Sequence, residues 1–239
     1  MRHFTIPTSI EKRIQVWTDW AERQGQQQIT SRPCITISRE YGCQAYKLAE
    51  AIFERFSEHT TGGEEWTMLD RYLLEKIATE SGYSKSELNY MTHTNPAFHS
   101  AIANLKGADT ATPAKAFAAT KETIRYFAQT GNCIIIGRGG ACLTQDLPNV
   151  FHVRLVAPLA FKVIHIMKSM GLAKEEAKVL IKSRQEERNT FIKHFTNMNN
   201  TDPKLYHLII NNEKSDIDEM ADMIYNRTLA FFMADASGW

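Results

Sequence analysis

Apolar residues occur along the chain either in short unbroken runs or at helical spacing. Near-continuous apolar runs surround residues 35, 134 and 152, as in strands that are covered on both faces. Two further runs, WTMLD and LYHLIINNE, also have strand character. The five predicted strands are 34–38, 66–70, 133–140, 149–158 and 205–213.

Segments with helical periodicity separate these strands. The predicted helices are about 46–59, 71–81, 114–131, 159–195 and 216–234. Alternation of strand and helix favours an α/β layer fold with a mainly parallel sheet. Ligands of such folds bind outside the carboxyl ends of the strands, so the residues after each strand are the candidate site residues.

Two segments stand apart from this alternation. Residues 8–24 predict an amphipathic helix, and the first 30 residues are interpreted as a helical appendage to a domain covering 31–239. Its apolar stripe consists of Ile10, Ile14, Trp17 and Ala21. We expect this stripe to pack on the domain or on a second subunit. Residues 82–113 contain short helical pieces without a strand, which indicates an inserted helical subdomain or a lid.

Composition narrows the function classes. The 239 residues are 43% hydrophobic and 23% charged, as in an ordinary folded domain, and the net charge of +1 gives no basic field for nucleic acid. No apolar run approaches the roughly 20 residues that cross a bilayer. The N-terminus has no signal-peptide core, so we expect a cytoplasmic protein that binds neither nucleic acid nor membrane.

The four cysteines form two pairs, and the members of each pair are nine residues apart: Cys34 and Cys43, then Cys133 and Cys142. A redox pair or a metal site requires the two strands concerned to be neighbours. Half-buried thiols are the favoured interpretation, because no C-x-x-C or nearby histidine spacing supports a metal.

The first candidate site is SREYGCQAYK, residues 38–47, where a strand passes through Gly42 into a helix. Backbone N–H groups at such a helix start can hold a phosphate, with Lys47 as the accompanying cation. A plain strand–helix joint with Lys47 on the helix surface explains the pattern equally well.

The second candidate is IIIGRGG, in which glycines flank Arg138 at the end of a strand. An arginine at this position points into the crevice, where its planar fork suits a phosphate. The alternative is an ion pair with a carboxylate such as Asp70 or Glu40. Ligand contact is favoured because of the position beyond the strand.

Two weaker candidates complete the set. Arg184 and Arg188 are four residues apart in KSRQEER and therefore share a helix face. They are interpreted either as a basic lid that closes over phosphates or as a solvated charged face. Asp70 follows a strand, where it would hold magnesium or a hydroxyl, or cap the next helix.

The order of the motifs ITISREYG, MLDRYLLEKIA, GNCIIIGRGG, NVFHVRLVAP and LYHLIINNE resembles the cytidylate-kinase-like proteins, relatives of the P-loop nucleoside monophosphate kinases. The resemblance covers about residues 33–230. It implies a three-layer P-loop kinase-like fold with a five-stranded parallel sheet in the order 2-3-1-4-5. It further implies an acceptor-binding helical region at 71–113, a lid at 170–200, and transfer of the ATP γ-phosphoryl group to a nucleoside monophosphate with Mg²⁺.

The resemblance also assigns roles to residues. Catalysis would fall to Lys47, Arg138, Arg184 and Arg188, and the acceptor would be bound by Asp70, Arg138 and Gly139. The ATP site would consist of Arg39, Gly42, Cys43, Gln44, Ala45, Tyr46 and Lys47. Gly139 and Gln185 stand where cytidylate kinases carry acids, so a preference for cytidine is not implied.

Three hypotheses follow. The chain is a kinase that uses ATP and Mg²⁺ and acts on a nucleotide or another small acceptor. Alternatively, it is a catalytically degenerate protein that binds a nucleotide or phosphorylated small molecule for regulation, which the glycine-poor loop GCQAYK favours. The third hypothesis, a homodimer through the N-terminal helix, is compatible with either.

Overall fold

The computed structural model of the protein describes residues 32–59, 66–70 and 113–236. The predicted N-terminal appendage at 1–30 therefore lies outside the described residues. So do the predicted helix at 71–81 and the acceptor-binding region, apart from its last residue, 113.

Five strands form one parallel sheet. They are β1 (Cys34–Arg39), β2 (Thr67–Leu69), β3 (Cys133–Ile136), β4 (Val150–Val156) and β5 (Leu208–Asn211). Their order in the sheet is β2-β3-β1-β4-β5, and every pairing is parallel. The predicted fold class and strand order are confirmed.

Helices connect these strands. They are α1 (Ala45–His59), α2 (Pro113–Thr130), α3 (Gly140–Leu143), α4 (Leu159–Met170), α5 (Lys174–Thr196) and α6 (Ile217–Ala236), and a 3₁₀ turn covers Pro203–Leu205. The single helical region predicted for 159–195 is two helices. Gly171 adopts a left-handed φ of 69° and its N–H caps the carbonyl of Met167, which ends α4.

The third strand is shorter than predicted. It ends at Ile136 rather than continuing to residue 140, because Gly137, Arg138 and Gly139 all have positive φ and cannot continue a strand. The fifth strand likewise covers Leu208–Asn211 rather than 205–213.

The main core lies between the sheet and helices α1 and α6. Alternate residues of the central strands point to this side, in accordance with the two-residue period of a strand. Its most completely buried members include Ile35, Ile37, Leu48, Ile52, Phe151 and Val153. No helix within the described ranges is long and apolar enough to cross a membrane.

The opposite face of β1 and β4 carries polar residues. Thr36 pairs across the strands with His152, and Ser38 pairs with Arg154. Helix α3 lies directly on this face, since a Cβ added to Gly140 would sit 3.3 Å from Ile135 and 3.5 Å from Thr36. A polar strip is therefore buried beneath α3 and leads to the carboxyl end of β1.

Candidate functional site

A cavity of about 400 Å³ lies at the carboxyl ends of β1 and β3. Its walls are the end of β1, the turn after β3, the short helix α3, one face of α5 and the segment that follows α5. This is the edge of the sheet where parallel α/β proteins bind their ligands. The cavity thus occupies the position that the strand pattern predicts.

Three arginines line this cavity: Arg39 from β1, Arg138 from the turn after β3, and Arg188 from α5. The pKa of Arg39 is lowered to about 9, first by burial and then by the neighbouring charges of Arg188 and Arg138, while Asp70 opposes the shift. Three cations that line one cavity repel one another. An anion in the cavity would relieve this repulsion.

Aromatic rings support two of these guanidinium groups. The Cζ of Arg138 is 5.7 Å from the ring centroid of Phe191, and the Cζ of Arg188 is 4.9 Å from that of Tyr41. Both distances are within the range of cation–π attraction. Arg188 and Phe191 are three residues apart on α5 and therefore face the cavity together.

The turn after β3 brings Arg138 and Arg39 together. Gly137, Arg138 and Gly139 have φ of 77°, 54° and 73°. A left-handed conformation is costly for a residue with a Cβ, and such residues cluster at functional sites. A Cβ on Gly137 would lie 1.7 Å from the Nη1 of Arg39, so glycine leaves the space that this guanidinium occupies.

The other end of the cavity is polar and is lined by Ser38, Asn200 and Tyr206. The hydroxyl of Tyr206 donates to the carbonyl of Asn200 at 2.6 Å and lies 3.1 Å from the Oγ of Ser38. Behind these groups the buried Arg154 donates to the same carbonyl at 2.6 Å, and it forms no ion pair with any described carboxylate. Among the described residues, the buried Oδ1 of Asn200 has no hydrogen-bond partner.

Sequence reasoning did not identify Asn200, Tyr206 or Phe191 as site residues. One signal was present for the polar end: Ser38 and Arg154, like Thr36 and His152, interrupt the apolar strands, and a polar residue in a two-sided strand needs a buried partner. For Tyr206 and Asn200 themselves the sequence offers no pattern, because both lie in an irregular segment.

The predicted phosphate loop after β1 already uses much of its backbone within the protein. The N–H of Tyr41 donates to the Oε1 of Gln185 at 2.8 Å, and the N–H of Gln44 donates to the Oδ1 of Asn212 at 2.7 Å. The N–H of Cys43 donates to the carbonyl of Glu40 at 3.3 Å. These donors are therefore not directed at a ligand.

The open side of Gly42 is also filled. A Cβ on Gly42 would lie 2.8 Å from the Cβ of Lys162, whose Nζ forms an ion pair with Glu40 at 2.6 Å. The stem of Lys162 thus covers the glycine where a phosphate would approach the backbone.

The remaining predicted residues lie around the cavity or away from it. Asp70 is buried after β2 and close enough to Arg39 to influence its pKa. Lys47 is exposed on α1 and does not line the cavity. It lies near His165 of α4, whose pKa is lowered by burial and then by the Lys47 charge. Arg184 also lies outside the cavity and pairs with Glu187 at 2.8 Å on the surface of α5.

The other loop residues are placed by α1. Ala45 is buried in the core against the sheet, whereas Tyr46 is exposed. Gly139 lines the cavity, and a Cβ there would lie 2.7 Å from the Cδ1 of Ile192. Of the four predicted catalytic residues, Arg138 and Arg188 therefore share the cavity, and Lys47 and Arg184 do not.

Neither a metal cluster nor a disulfide is formed by the described part of the chain. No group of three or more His, Cys, Asp or Glu side chains in these ranges could hold a metal ion. Strands β1 and β3 are neighbours, with Cys34 opposite Cys133 and both buried. All four cysteines are free thiols.

The strand order and the arginine-lined cavity define a kinase-like α/β protein. Residues 34–214 match the model of the cytidylate kinase-like family, and the chain belongs to this family. No curated protein matches the chain.

The solved structures that are similar to this one have distant sequences. The structure is similar to that of an uncharacterized protein from Eubacterium ventriosum, with 18% identity, a TM-score of 0.62, and coverage of 83% of this chain and 99% of that chain. A weaker similarity is to shikimate kinase from Bacteroides thetaiotaomicron, with 12% identity, a TM-score of 0.44, and coverage of 82% and 97%.

Proposed function

We propose that the protein binds a phosphorylated small molecule, such as a nucleotide, in the arginine-lined cavity. The observation that carries this proposal is the convergence of Arg39, Arg138 and Arg188 on one cavity beyond β1 and β3. The guanidinium fork is the side-chain group best suited to phosphate oxygens. Three such groups match a phosphate dianion better than they match a carboxylate.

The dimensions of the cavity agree with this ligand class. Pockets for small molecules have volumes of about 300–1,000 Å³, and a cavity of about 400 Å³ is within that range. The polar end around Asn200 and Tyr206 would form hydrogen bonds with the rest of the ligand. The ligand is therefore expected to have a phosphate at one end and hydroxyl or amide-like groups at the other.

A second candidate function is transfer of a phosphoryl group from ATP, with Mg²⁺, to the bound ligand. Membership of the cytidylate kinase-like family and the strand order favour it. The occupied N–H groups of Tyr41 and Gln44 and the position of Lys162 against Gly42 favour binding without turnover. Binding without turnover is the function that the described geometry supports better.

Calorimetric titration tests the binding proposal. Inorganic phosphate, pyrophosphate and a panel of nucleoside mono- and diphosphates would be titrated into the full chain. Arg138→Gln is expected to weaken binding by about tenfold or more, since a charged hydrogen bond contributes roughly 1.5–3 kcal/mol. Arg184→Gln is the matched control, because Arg184 is on the same helix but does not line the cavity.

Two results would overturn the proposal. One is a wild-type chain that binds no phosphate compound at millimolar concentration. The other is an equal loss of affinity in Arg138→Gln and Arg184→Gln, which would mean that the cavity has no special role.

The second candidate is tested by adding MgATP to the protein together with the best ligand and following the products by phosphorus NMR. Absence of turnover with retained ligand binding would support binding without catalysis. Turnover that disappears in Lys47→Ala would instead establish a kinase that uses the loop after β1. It would also require the contacts of Gln185, Asn212 and Lys162 with that loop to open.

A further inference from the structure

We propose that Tyr41 is a positioning residue for Arg188. Its ring supports the guanidinium over the cavity, while its backbone is held by Gln185 of the same helix. The consequence for ligand affinity rests on the proposed phosphate binding, but the positioning itself does not.

Two contacts hold Tyr41 between the loop after β1 and α5. Its N–H donates to the Oε1 of Gln185 at 2.8 Å, and its ring centroid is 4.9 Å from the Cζ of Arg188. Gln185 and Arg188 are three residues apart and therefore on the same side of α5. The two residues of α5 that contact Tyr41 therefore lie within one helical turn.

The orientation of Gln185 is determined by its partners. A backbone N–H can only donate, so the amide oxygen must face Tyr41. The Nε2 of Gln185 then donates to the Oδ1 of Asn189 at 2.8 Å, one turn further along α5. Both polar atoms of the Gln185 amide are therefore hydrogen-bonded, which fixes the link between Tyr41 and α5.

Arg188 needs such support because its neighbours repel it. Arg39 and Arg138 carry the same charge and line the same cavity. A long side chain in this field gains both energy and entropy by turning to solvent. A ring face attracts the cation and restricts its rotamers, so the guanidinium is placed before the anion arrives.

The ring of Tyr41, rather than its hydroxyl, makes the contact that matters. Among the described residues, the hydroxyl has a weak contact with the Sδ of Met170, at 3.9 Å and near the surface. The ring also packs against the small apolar cluster that contains Val163 and Ile166. Tyr41→Phe therefore preserves the ring and its packing, whereas Tyr41→Leu keeps an apolar side chain but removes the ring.

The first test needs no ligand. The Nε–H proton of Arg188, identified by its disappearance in Arg188→Lys, is expected at an upfield position in the NMR spectrum because of the Tyr41 ring current. Tyr41→Phe should retain this shift and Tyr41→Leu should abolish it. An identical Arg188 resonance in wild type and Tyr41→Leu would overturn the proposal.

The second test measures affinity for pyrophosphate by calorimetry. Tyr41→Leu is expected to bind roughly threefold to tenfold more weakly than wild type, and Tyr41→Phe to bind equally well. In an Arg188→Lys background, Tyr41→Leu should cause little further loss, because the supported guanidinium is already gone. Full additivity of the two substitutions would contradict a role through Arg188.

The two proposals fail in different ways. If wild type binds no phosphate compound, the proposed function fails, and the NMR test still decides whether the Tyr41 ring lies against the guanidinium of Arg188. If wild type binds pyrophosphate and Tyr41→Leu binds it equally, only the positioning proposal fails. Thermal unfolding of each variant separates a lost contact from a lost fold.

Discussion

Gly137 and Arg39 occupy neighbouring space at the mouth of the cavity, and this contact explains the glycine after β3. Gly137 has a φ of 77°, and a Cβ added to it would lie only 1.7 Å from the Nη1 of Arg39. Gly171, after α4, has a similar φ of 69°, but an added Cβ there meets nothing within 4 Å. Comparing substitutions at the two glycines therefore distinguishes the cost of backbone strain, which both share, from the cost of local crowding, which only Gly137 has.

Gly137→Ala and Gly171→Ala should each cost about 1–2 kcal/mol of stability from the left-handed backbone. Only Gly137→Ala should also displace Arg39 and weaken phosphate binding severalfold. Urea unfolding measures the stability, and calorimetry with pyrophosphate measures the binding. Equal affinity in the two variants would show that Arg39 does not take part in binding.

His152 lies in the buried polar strip beneath α3, where its Nδ1 is 2.8 Å from the Oγ1 of Thr36. Burial lowers its pKa from 6.5 to about 4, and the nearby His207 contributes to the shift. Between these values the unfolded chain binds a proton that the folded chain excludes. Stability contributed by neutral His152 is therefore present above pH 6.5 and is lost as the pH falls toward 4.

The free energy of unfolding is expected to fall by roughly 3 kcal/mol as the pH is lowered through this window. His152→Gln should reduce the slope of unfolding free energy against pH between 6.5 and 4, even if the variant is less stable at neutral pH. Urea titrations at several pH values measure the slope. An unchanged slope would assign the acid sensitivity to other groups, such as His207.

At the scale of the element, α5 shows what periodicity can and cannot determine. The sequence predicted one helical region over 159–195, so the 23-residue length of α5 does not follow from it, but the shared face of residues four apart does. The sequence does not determine which charged residues face the cavity, because the stretch KSRQEER is charged or polar at every position. The fold turns Arg188 inward and leaves Arg184 on the surface with Glu187.

The loop between β1 and α1 gives a second example at this scale. Strand, glycine turn and helix follow the predicted order, but distant parts of the chain close the loop. Gln185 and Asn212, which bind its N–H groups, are 144 and 168 residues away from their partners. Lys162, which covers Gly42, comes from α4. Local pattern alone could not distinguish an open phosphate loop from this occupied one.

At the scale of the whole molecule, the sheet order places cysteines from distant segments together. Cys34 and Cys133 are opposite each other in β1 and β3 and are fully buried. Burial raises the pKa of Cys34, and burial together with the charge of Glu40 raises the pKa of Cys43 to about 11. Thiols with raised pKa are poor nucleophiles at neutral pH.

An aromatic disulfide reagent at neutral pH should therefore react slowly with the native protein. In denaturant all four thiols should react at once, because the chain contains four cysteines and all of them are free. Absorbance of the released thiolate measures both rates. Rapid reaction of two thiols in the native state would instead support the redox-pair alternative.

The fold and the family are the parts of the sequence interpretation that are confirmed. Apolar runs and the order of the motifs led to the five-stranded parallel sheet in the order 2-3-1-4-5 and to the cytidylate kinase-like family. The roles of individual site residues stay predictions, as do ATP, Mg²⁺ and the homodimer through residues 1–30. The first 30 residues and the region 71–112 lie outside the described part of the chain.

The sequence by itself determined the local elements of this protein and the edge of the sheet where its site lies. Strand and helix periods are short-range properties, and the carboxyl ends of parallel strands always meet at one edge. Only the tertiary structure decided that Arg39, Arg138 and Arg188 share a cavity, and that Tyr206 and Asn200 close its other end. These side chains are brought together by strand pairing and by the seating of α5, which depend on contacts between residues far apart in the chain.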